Sequence, residues 1–288
     1  MTSNPSEPSG GGATNKPVVT GLIGLALASG AIVIATHVLR VFTPAGQRWD
    51  DAAYLEARLT APGAQQACEW ILSTLTVPTI ALGLAALLLV SVVRRQILVG
   101  VAIVAAFAIA IVLAEILAQV IARPDLAPAL TALVDDDSAN TFPSGHAAIA
   151  TGLGLGFIMV SSRRWRGWVA VGGLAFATAI ACATVIAGWH RPSDAVGGAA
   201  LSTGWLALVG WLLARQRGTR AHPITGRSAA AAGVTIMILA LASVGVLATI
   251  GPERFLLAFA TAEALIILGT AAAFAGMVLS LRGISLDR

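Results

Sequence analysis

Long apolar runs alternate with short polar segments along most of the chain. Each run is close to the length of about 20 residues at which an apolar helix crosses a bilayer. The eight runs cover roughly residues 18–42, 67–93, 97–122, 145–162, 167–189, 192–214, 228–250 and 255–281. Membrane-spanning β-strands would instead require short segments of alternating hydrophobicity. The pattern therefore predicts an all-α fold, a polytopic transmembrane helix bundle.

The polar segments predict four regions along the chain. Residues 1–17 are rich in Pro, Ser and Gly, which is typical of a disordered tail. Residues 18–214 form a predicted core of six spans, and the first of these is too long for a cleaved signal peptide. A basic linker at 215–227 then leads to two additional spans and a short tail at 228–288. These last two helices are candidates to dock a partner, to form the face of a homo-oligomer or to shield the core.

The charges predict how the bundle is oriented. Only 11% of the residues are charged, against about 25% in soluble domains. The arginines are concentrated in alternate loops, and loops rich in arginine remain on the cytoplasmic side of a membrane. We therefore expect an integral plasma-membrane protein with both termini in the cytoplasm. The net charge of +4 then reflects this orientation, and we expect no nucleic acid partner.

Three polar motifs fall on the predicted outer side. Arg123 and Pro124 end the third span, the sequence FPSGH at 142–146 opens the fourth, and WHRPSD at 189–194 joins the fifth to the sixth. The orientation was deduced from charge and hydropathy without reference to these motifs. Their placement on one face therefore predicts a common site.

The residue types in two of these motifs suit chemistry on an anion. Ser144 is a predicted N-cap, and Gly145 leaves the first-turn N–H groups of its helix open to an anion. His190 and Asp194 are four residues apart, so a helix places them on one face. A carboxylate bonded to one imidazole nitrogen leaves the other nitrogen basic, as a nucleophilic histidine requires. The alternative is a capping serine and a helix-entry ion pair without chemistry.

With these motifs the chain resembles the type 2 phosphatidic acid phosphatase superfamily, over roughly residues 67–214. The resemblance implies that His190 attacks phosphorus and forms a phosphohistidine, while Asp194 orients it. It implies that His146 protonates the departing alkoxide and then activates the water that hydrolyses the intermediate.

The resemblance also implies how the phosphoryl group is held. Arg123, the Ser144 hydroxyl and the Gly145 amide would bind its oxygens. Such proteins need no metal and no other cofactor. The two cysteines, Cys68 and Cys182, show no metal-binding spacing.

Two cations of the family motifs are replaced in this chain. Ile116 stands where the family has a lysine, and Thr184 stands where it has an arginine. Arg191 is the nearest substitute for phosphate binding, and its alternative role is to reach lipid headgroups. With fewer cations, we expect monophosphates to be preferred over diphosphates.

A polar stripe in the third span supplies candidate supporting residues. Glu115, Gln119 and Arg123 share one side of the helix, and a carboxylate inside the membrane is costly and often functional. Glu115 and Gln119, with Thr184, are therefore candidates for a second layer around the site. The alternative for Glu115 is a bonded contact between helices.

These observations predict an integral membrane phosphatase that hydrolyses a lipid phosphate monoester at the outer face. The expected partners are membrane lipids and a lipid phosphate substrate, such as phosphatidic acid or a polyprenyl phosphate. The alternative is a catalytically impaired relative that binds anionic lipid or serves membrane assembly or transport.

Overall fold

The computed structural model describes residues 16–60, 62–129, 140–217 and 254–281, and these residues form helices and no strands. A π-helical turn, His37–Val41, extends the first helix. The helices are α1 Lys16–Thr36, α2 Pro44–Thr60, α3 Pro62–Ser73, α4 Val77–Val93, α5 Ile97–Val120, α6 Gly145–Val160, α7 Arg163–Ile186, α8 Pro192–Arg217 and α9 Arg254–Ser280. The predicted all-α bundle is confirmed.

Among the described residues, five helices are long and apolar enough to cross a membrane: α1 with its π-helical turn, α5, α7, α8 and α9. α6 is shorter, at 16 residues, and most of its side chains are buried among the other helices. The predicted span at 228–250 lies outside the described residues. The protein is therefore a polytopic membrane protein, as the sequence predicts.

The sequence prediction differs from the structure in the second span. Residues 67–93 were expected to form one helix, but α3 and α4 meet at an angle of 58°. The break follows from a capping box, in which the Thr76 hydroxyl accepts from the Thr79 N–H and the Thr79 hydroxyl accepts from the Thr76 N–H. Pro78 in the first turn of α4 suits a helix start rather than a helix interior.

The apolar pattern also does not predict α2, because residues 43–66 fall between two apolar runs. Hydropathy alone finds spans, whereas α2 is an amphipathic helix with both buried polar and buried apolar side chains. It packs against α9 at the end of the bundle where α6 and α8 begin.

Close helix packing explains the alternating glycines of the segment TGLGLG at 151–156. A Cβ on Gly152 would lie 2.8 Å from the ring of Phe107 in α5. A Cβ on Gly154 would lie 2.6 Å from the ring of Phe274, which is fully buried. Phe274 belongs to α9, so this helix packs into the same core as α6, α7 and α8.

A buried arginine ties the helices together at the opposite end of the bundle. The Arg166 guanidinium donates to the carbonyl oxygens of Ile158 (3.3 Å), Ser161 (3.3 Å) and Leu281 (2.8 Å). These carbonyls belong to the C-terminal ends of α6 and α9, where backbone acceptors lack intrahelical partners. Arg166 thus satisfies them and holds the two helix ends together.

Candidate active site

The structure brings the three polar motifs together at one end of the bundle. The Ser144 N–H donates to the carbonyl of Asp194 (2.8 Å), and the Thr141 hydroxyl donates to the Asp194 carboxylate (2.5 Å). The Asn140 side chain donates to the Ala118 carbonyl of α5 (3.3 Å). The loop before α6 is therefore bonded both to the start of α8 and to the end of α5.

Two adjacent glycines allow α8 to approach this loop. A Cβ on Gly198 would lie 2.2 Å from the Ser144 carbonyl oxygen, and a Cβ on Gly197 would lie 2.4 Å from the Phe142 ring. Real Cβ contacts do not occur at such distances, so any larger residue would force the helix away from the loop. The adjacent pair Gly197–Gly198 is the sequence signal for this contact, and it lies outside the three polar motifs.

A Schellman motif at the end of α7 directs the chain towards His190. Gly188 has a φ of 69°, a conformation that glycine adopts without steric cost. The Trp189 N–H donates to the Thr184 carbonyl (3.0 Å), and the Gly188 N–H donates to the Val185 carbonyl (2.9 Å). Because these bonds fix the turn, the position of His190 is set by the backbone.

The two histidines of the motifs lie close together. Their ring centroids are 6.3 Å apart, and Trp189 packs edge-on against His146 at 5.3 Å. The two imidazoles are close enough for both to contact one bound group beside them, since hydrogen bonds span about 2.7–3.0 Å.

The Asp194 carboxylate faces the nucleophile candidate. His190 Nδ1 lies 3.6 Å from Asp194 Oδ2, and the His190 side chain is 15% exposed whereas Asp194 is fully buried. The distance is slightly longer than a hydrogen bond, and such contacts often shorten when substrate binds. With Nδ1 facing the carboxylate, Nε2 is the nitrogen left to react.

The start of α6 has the form of an anion site. The Ser144 hydroxyl accepts from the Ala147 N–H (3.3 Å), as an N-cap does. A Cβ on Gly145 would meet nothing within 4 Å, so the space beside this backbone is open. An anion there would meet first-turn N–H groups and the positive end of the helix dipole.

Arg123 lies beside two carboxylates of α2. Its Nη2 is 3.5 Å from Asp51 Oδ1 and 3.8 Å from Asp50 Oδ2, and its side chain is only 5% exposed. Its other terminal nitrogen, Nη1, is buried without a hydrogen-bond partner among the described residues. A buried donor without an acceptor is costly, and an oxygen of a bound anion would supply the acceptor.

Arg191 is buried as well. Its Nε donates to Asp51 Oδ1 at 2.6 Å, and only 2% of its side chain is exposed. The alternative in which this arginine reaches lipid headgroups does not fit such burial. Its role in phosphate binding stays a prediction.

Asp50 connects α2 to the start of α8. Its carboxylate accepts from the Ser193 N–H (3.1 Å) and from the Ser193 hydroxyl. Burial, with a smaller contribution from the Asp194 carboxylate, raises the pKa of Asp50 to about 7, against the opposing effects of Arg123 and Ser193. Asp50 is thus close to its titration point at neutral pH.

The proposed supporting residues lie elsewhere. Glu115 and Gln119 bond to each other (2.8 Å) on the exposed face of α5, while Arg123 pairs with the carboxylates of α2 instead. Ile116, at the position of the family lysine, is 48% exposed on the same helix. The Thr184 hydroxyl is buried and donates to the Ala181 carbonyl of its own helix (2.7 Å).

The described residues thus place two imidazoles, a buried carboxylate and an open helix start close together at one end of the bundle. Such a set can transfer a phosphoryl group to a histidine and then to water.

Comparison with known proteins covers part of the chain. No curated protein and no solved structure matches it. One family model matches, and the matched segment runs from α5 to α8 and contains all three polar motifs, while α1 to α4 and α9 lie outside it. The match supports phosphatase chemistry at the level of the family. Residues 97–218 match the model of the PAP2 superfamily, and this confirms the family resemblance that the motifs of the sequence predict.

Proposed function

We propose that the protein is an integral membrane phosphatase that hydrolyses a lipid phosphate monoester through a phosphohistidine at His190. The observation that carries this proposal is the pair of imidazoles, 6.3 Å apart, beside an open helix start. Neither a helix cap nor an ion pair requires a second histidine at that distance.

In the first step, His190 Nε2 attacks phosphorus, so that an N–P bond forms as the bond to the lipid oxygen breaks. His146 gives its proton to the departing oxygen, which leaves as the lipid alcohol. Asp194, beside Nδ1 of His190, stabilises the positive charge that develops on the nucleophile's ring.

In the second step, water attacks the phosphohistidine while His146 accepts a proton from that water. The N–P bond breaks, inorganic phosphate leaves, and both histidines regain their starting states. Throughout, Arg123, the Gly145 N–H and the Ser144 hydroxyl bind the phosphoryl oxygens, with Arg191 as a further cation. The reaction needs no metal ion.

The substrate is an amphiphile whose phosphate enters the site while its tail remains in lipid, such as phosphatidic acid or a polyprenyl phosphate. The concentration of arginines in alternate loops supports a site on the extracytoplasmic face. Single cysteines, Asp137→Cys and Gly218→Cys, test this in a background without Cys68 and Cys182. An impermeant thiol reagent on intact cells should label only the first, and labelling of only the second would place the site inside.

A second function has its own supporting observations. The family lysine position, Ile116, faces out of the bundle, the Thr184 hydroxyl bonds within its helix, and Arg123 pairs with carboxylates. These features suit a catalytically impaired relative that binds anionic lipid or serves membrane assembly or transport.

Release of inorganic phosphate decides between the two functions. Purified protein in detergent would be offered a panel of lipid mono- and diphosphates, with a chelator present, beside the His190→Ala variant as control. The proposal predicts release by the wild type only, with monophosphates preferred. A wild type that binds these lipids without releasing phosphate would establish the second function instead.

A further inference from the structure

One face of α2 carries four buried polar side chains. They are Gln47, Asp50, Asp51 and Tyr54. Their spacing of three, four and seven residues places them on one side of a helix. An amphipathic helix at a membrane surface would be expected to bury apolar residues and expose polar ones. This inversion indicates that the polar face of α2 has partners inside the protein.

The two ends of this face hold the segments next to the motif residues. The Gln47 side-chain nitrogen donates to the Pro124 carbonyl (2.6 Å), and its oxygen accepts from the Leu126 N–H (2.9 Å). The Tyr54 hydroxyl donates to the Gly188 carbonyl (2.5 Å). Gln47 thus fixes the segment after Arg123, and Tyr54 fixes the turn before His190.

Asp50 and Asp51, which lie between Gln47 and Tyr54 on this face, contact the motif arginines or their neighbours. Asp51 Oδ1 accepts from Arg191 Nε at 2.6 Å and lies 3.5 Å from Arg123 Nη2. Asp50 bonds Ser193 and lies 3.8 Å from Arg123 Nη2. One oxygen atom of Asp51 therefore lies between two guanidinium groups that come from different loops.

Such a contact restricts both arginines. A guanidinium is a planar fork on a flexible stem, and binding at Nε fixes the plane in which its other donors lie. Phosphoryl oxygens bind best to donors that are already aligned. Without Asp51, Arg191 would be a buried charge that lacks this carboxylate and would turn towards another partner.

We propose that α2 is part of the phosphate site and that Asp51 is a positioning residue, which aligns Arg191 and Arg123 for a phosphoryl group. This inference rests on the proposed function for the identity of the ligand. It adds to the site a helix that lies outside the segment matching the family.

Binding of inorganic phosphate tests the proposal without requiring turnover. Calorimetry on the full-length protein in detergent would compare the wild type with Asp51→Asn, Arg191→Ala and the double variant. We expect each single variant to bind phosphate about tenfold more weakly than the wild type, which corresponds to about 1.4 kcal/mol of binding free energy. The double variant should lose less affinity than the two single losses combined, because Asp51 acts in part through Arg191.

Two further variants separate positioning from folding. Asp51→Glu keeps the charge but moves the carboxylate by one methylene, and it should fold and bind phosphate with intermediate affinity. Glu56→Gln removes a half-buried carboxylate from the same helix and should bind phosphate as the wild type does. Unchanged binding in both Asp51 variants would overturn the proposal. Tighter binding in Asp51→Asn would also overturn it, because the carboxylate would then compete with phosphate.

The outcomes also distinguish this inference from the proposed function. If phosphate binding depends on Asp51 but no lipid phosphate is hydrolysed, the positioning role stands and the hydrolase does not. If lipid phosphates are hydrolysed and phosphate binding does not depend on Asp51, the hydrolase stands and the positioning role fails.

Discussion

Replacing Asp194 with asparagine should separate catalysis from folding. Asp194 Oδ2 accepts from the Thr141 hydroxyl (2.5 Å) and the Arg191 N–H (3.0 Å), and it lies 3.6 Å from His190 Nδ1. An asparagine whose oxygen takes the place of Oδ2 keeps both bonds, and its amide nitrogen then faces the Ser193 hydroxyl. The variant should therefore fold, and what it loses is the negative charge beside the nucleophile.

That charge matters most when the imidazole of His190 becomes positive during attack. Replacing the carboxylate beside a catalytic histidine with an amide lowers kcat by up to about 10⁴-fold, which corresponds to about 5 kcal/mol of activation free energy. The bonds to the loop remain, so the free energy of unfolding should change by less than about 1 kcal/mol.

The assay is steady-state phosphate release from one lipid monophosphate, with thermal unfolding measured in the same detergent. Asp194→Ala is the matched comparison, since it loses the two loop bonds as well and should fall in both kcat and stability. If the Asp194→Asn variant has the same kcat as the wild type, the proposed role of the carboxylate is refuted. Equal losses of kcat and stability in the asparagine variant would show that Asp194 serves the fold alone.

Three further predictions address the packing, the opposite end of the bundle and pH. Gly198→Ala should lower the free energy of unfolding by about 1–3 kcal/mol through overpacking against the Ser144 carbonyl, and it should also lower kcat. Gly172→Ala is the control, because it adds a Cβ in open space and should change neither quantity. Arg166→Ala should lower the free energy of unfolding by about 1.5–3 kcal/mol in denaturant titration, with kcat unchanged, and a loss of kcat at full stability would contradict this. Because the folded-state pKa of Asp50 is raised to about 7, its contribution to stability is present at low pH and is lost as the pH rises from 3.8 through about 7. The Tm of the wild type should therefore fall more steeply across this window than that of Asp50→Asn, and parallel curves would contradict the raised pKa.

The sequence predicts the bundle and the motif residues because both depend on local patterns. Long apolar runs identify α5, α7, α8 and α9 directly, since only a helix satisfies its own backbone in lipid. His190 and Asp194 are four residues apart, and this spacing predicts their proximity, although His190 lies in the turn before α8 and not in the helix itself. The proximity of the segments around Arg123 and His146 follows only when both are placed on the same side of the membrane.

The contribution of α2 could not be predicted in the same way. Its polar residues read as a solvated loop, because hydropathy does not reveal that Asp50 and Asp51 face two arginines from distant parts of the chain. The spacing of Gln47, Asp50, Asp51 and Tyr54 was a usable signal for a helix face, but the partners of that face follow only from tertiary structure. For the same reason Arg191 was expected at phosphate or headgroups and not beside Asp51.

The ion pairs of Arg123 also could not be predicted from sequence spacing. The predicted polar stripe places Arg123 on the same helix as Glu115 and Gln119, yet α5 ends at Val120, before Arg123. Arg123 follows the helix end and turns towards α2, while Glu115 and Gln119 remain on the exposed face. Sequence spacing alone does not show where a helix ends, and here the end of α5 decides that Arg123 contacts α2.

Trapping of the covalent intermediate is the sharpest test of a phosphohistidine at His190. Lipid monophosphate with radiolabelled phosphorus would be mixed with the purified protein and quenched in denaturant at alkaline pH, where a phosphohistidine survives. The account predicts label on the wild-type protein that is lost in acid, no label on His190→Ala, and prolonged label on His146→Ala with a substrate whose leaving group needs no proton. Hydrolysis by the His190→Ala protein, or label that persists in it, would contradict the account.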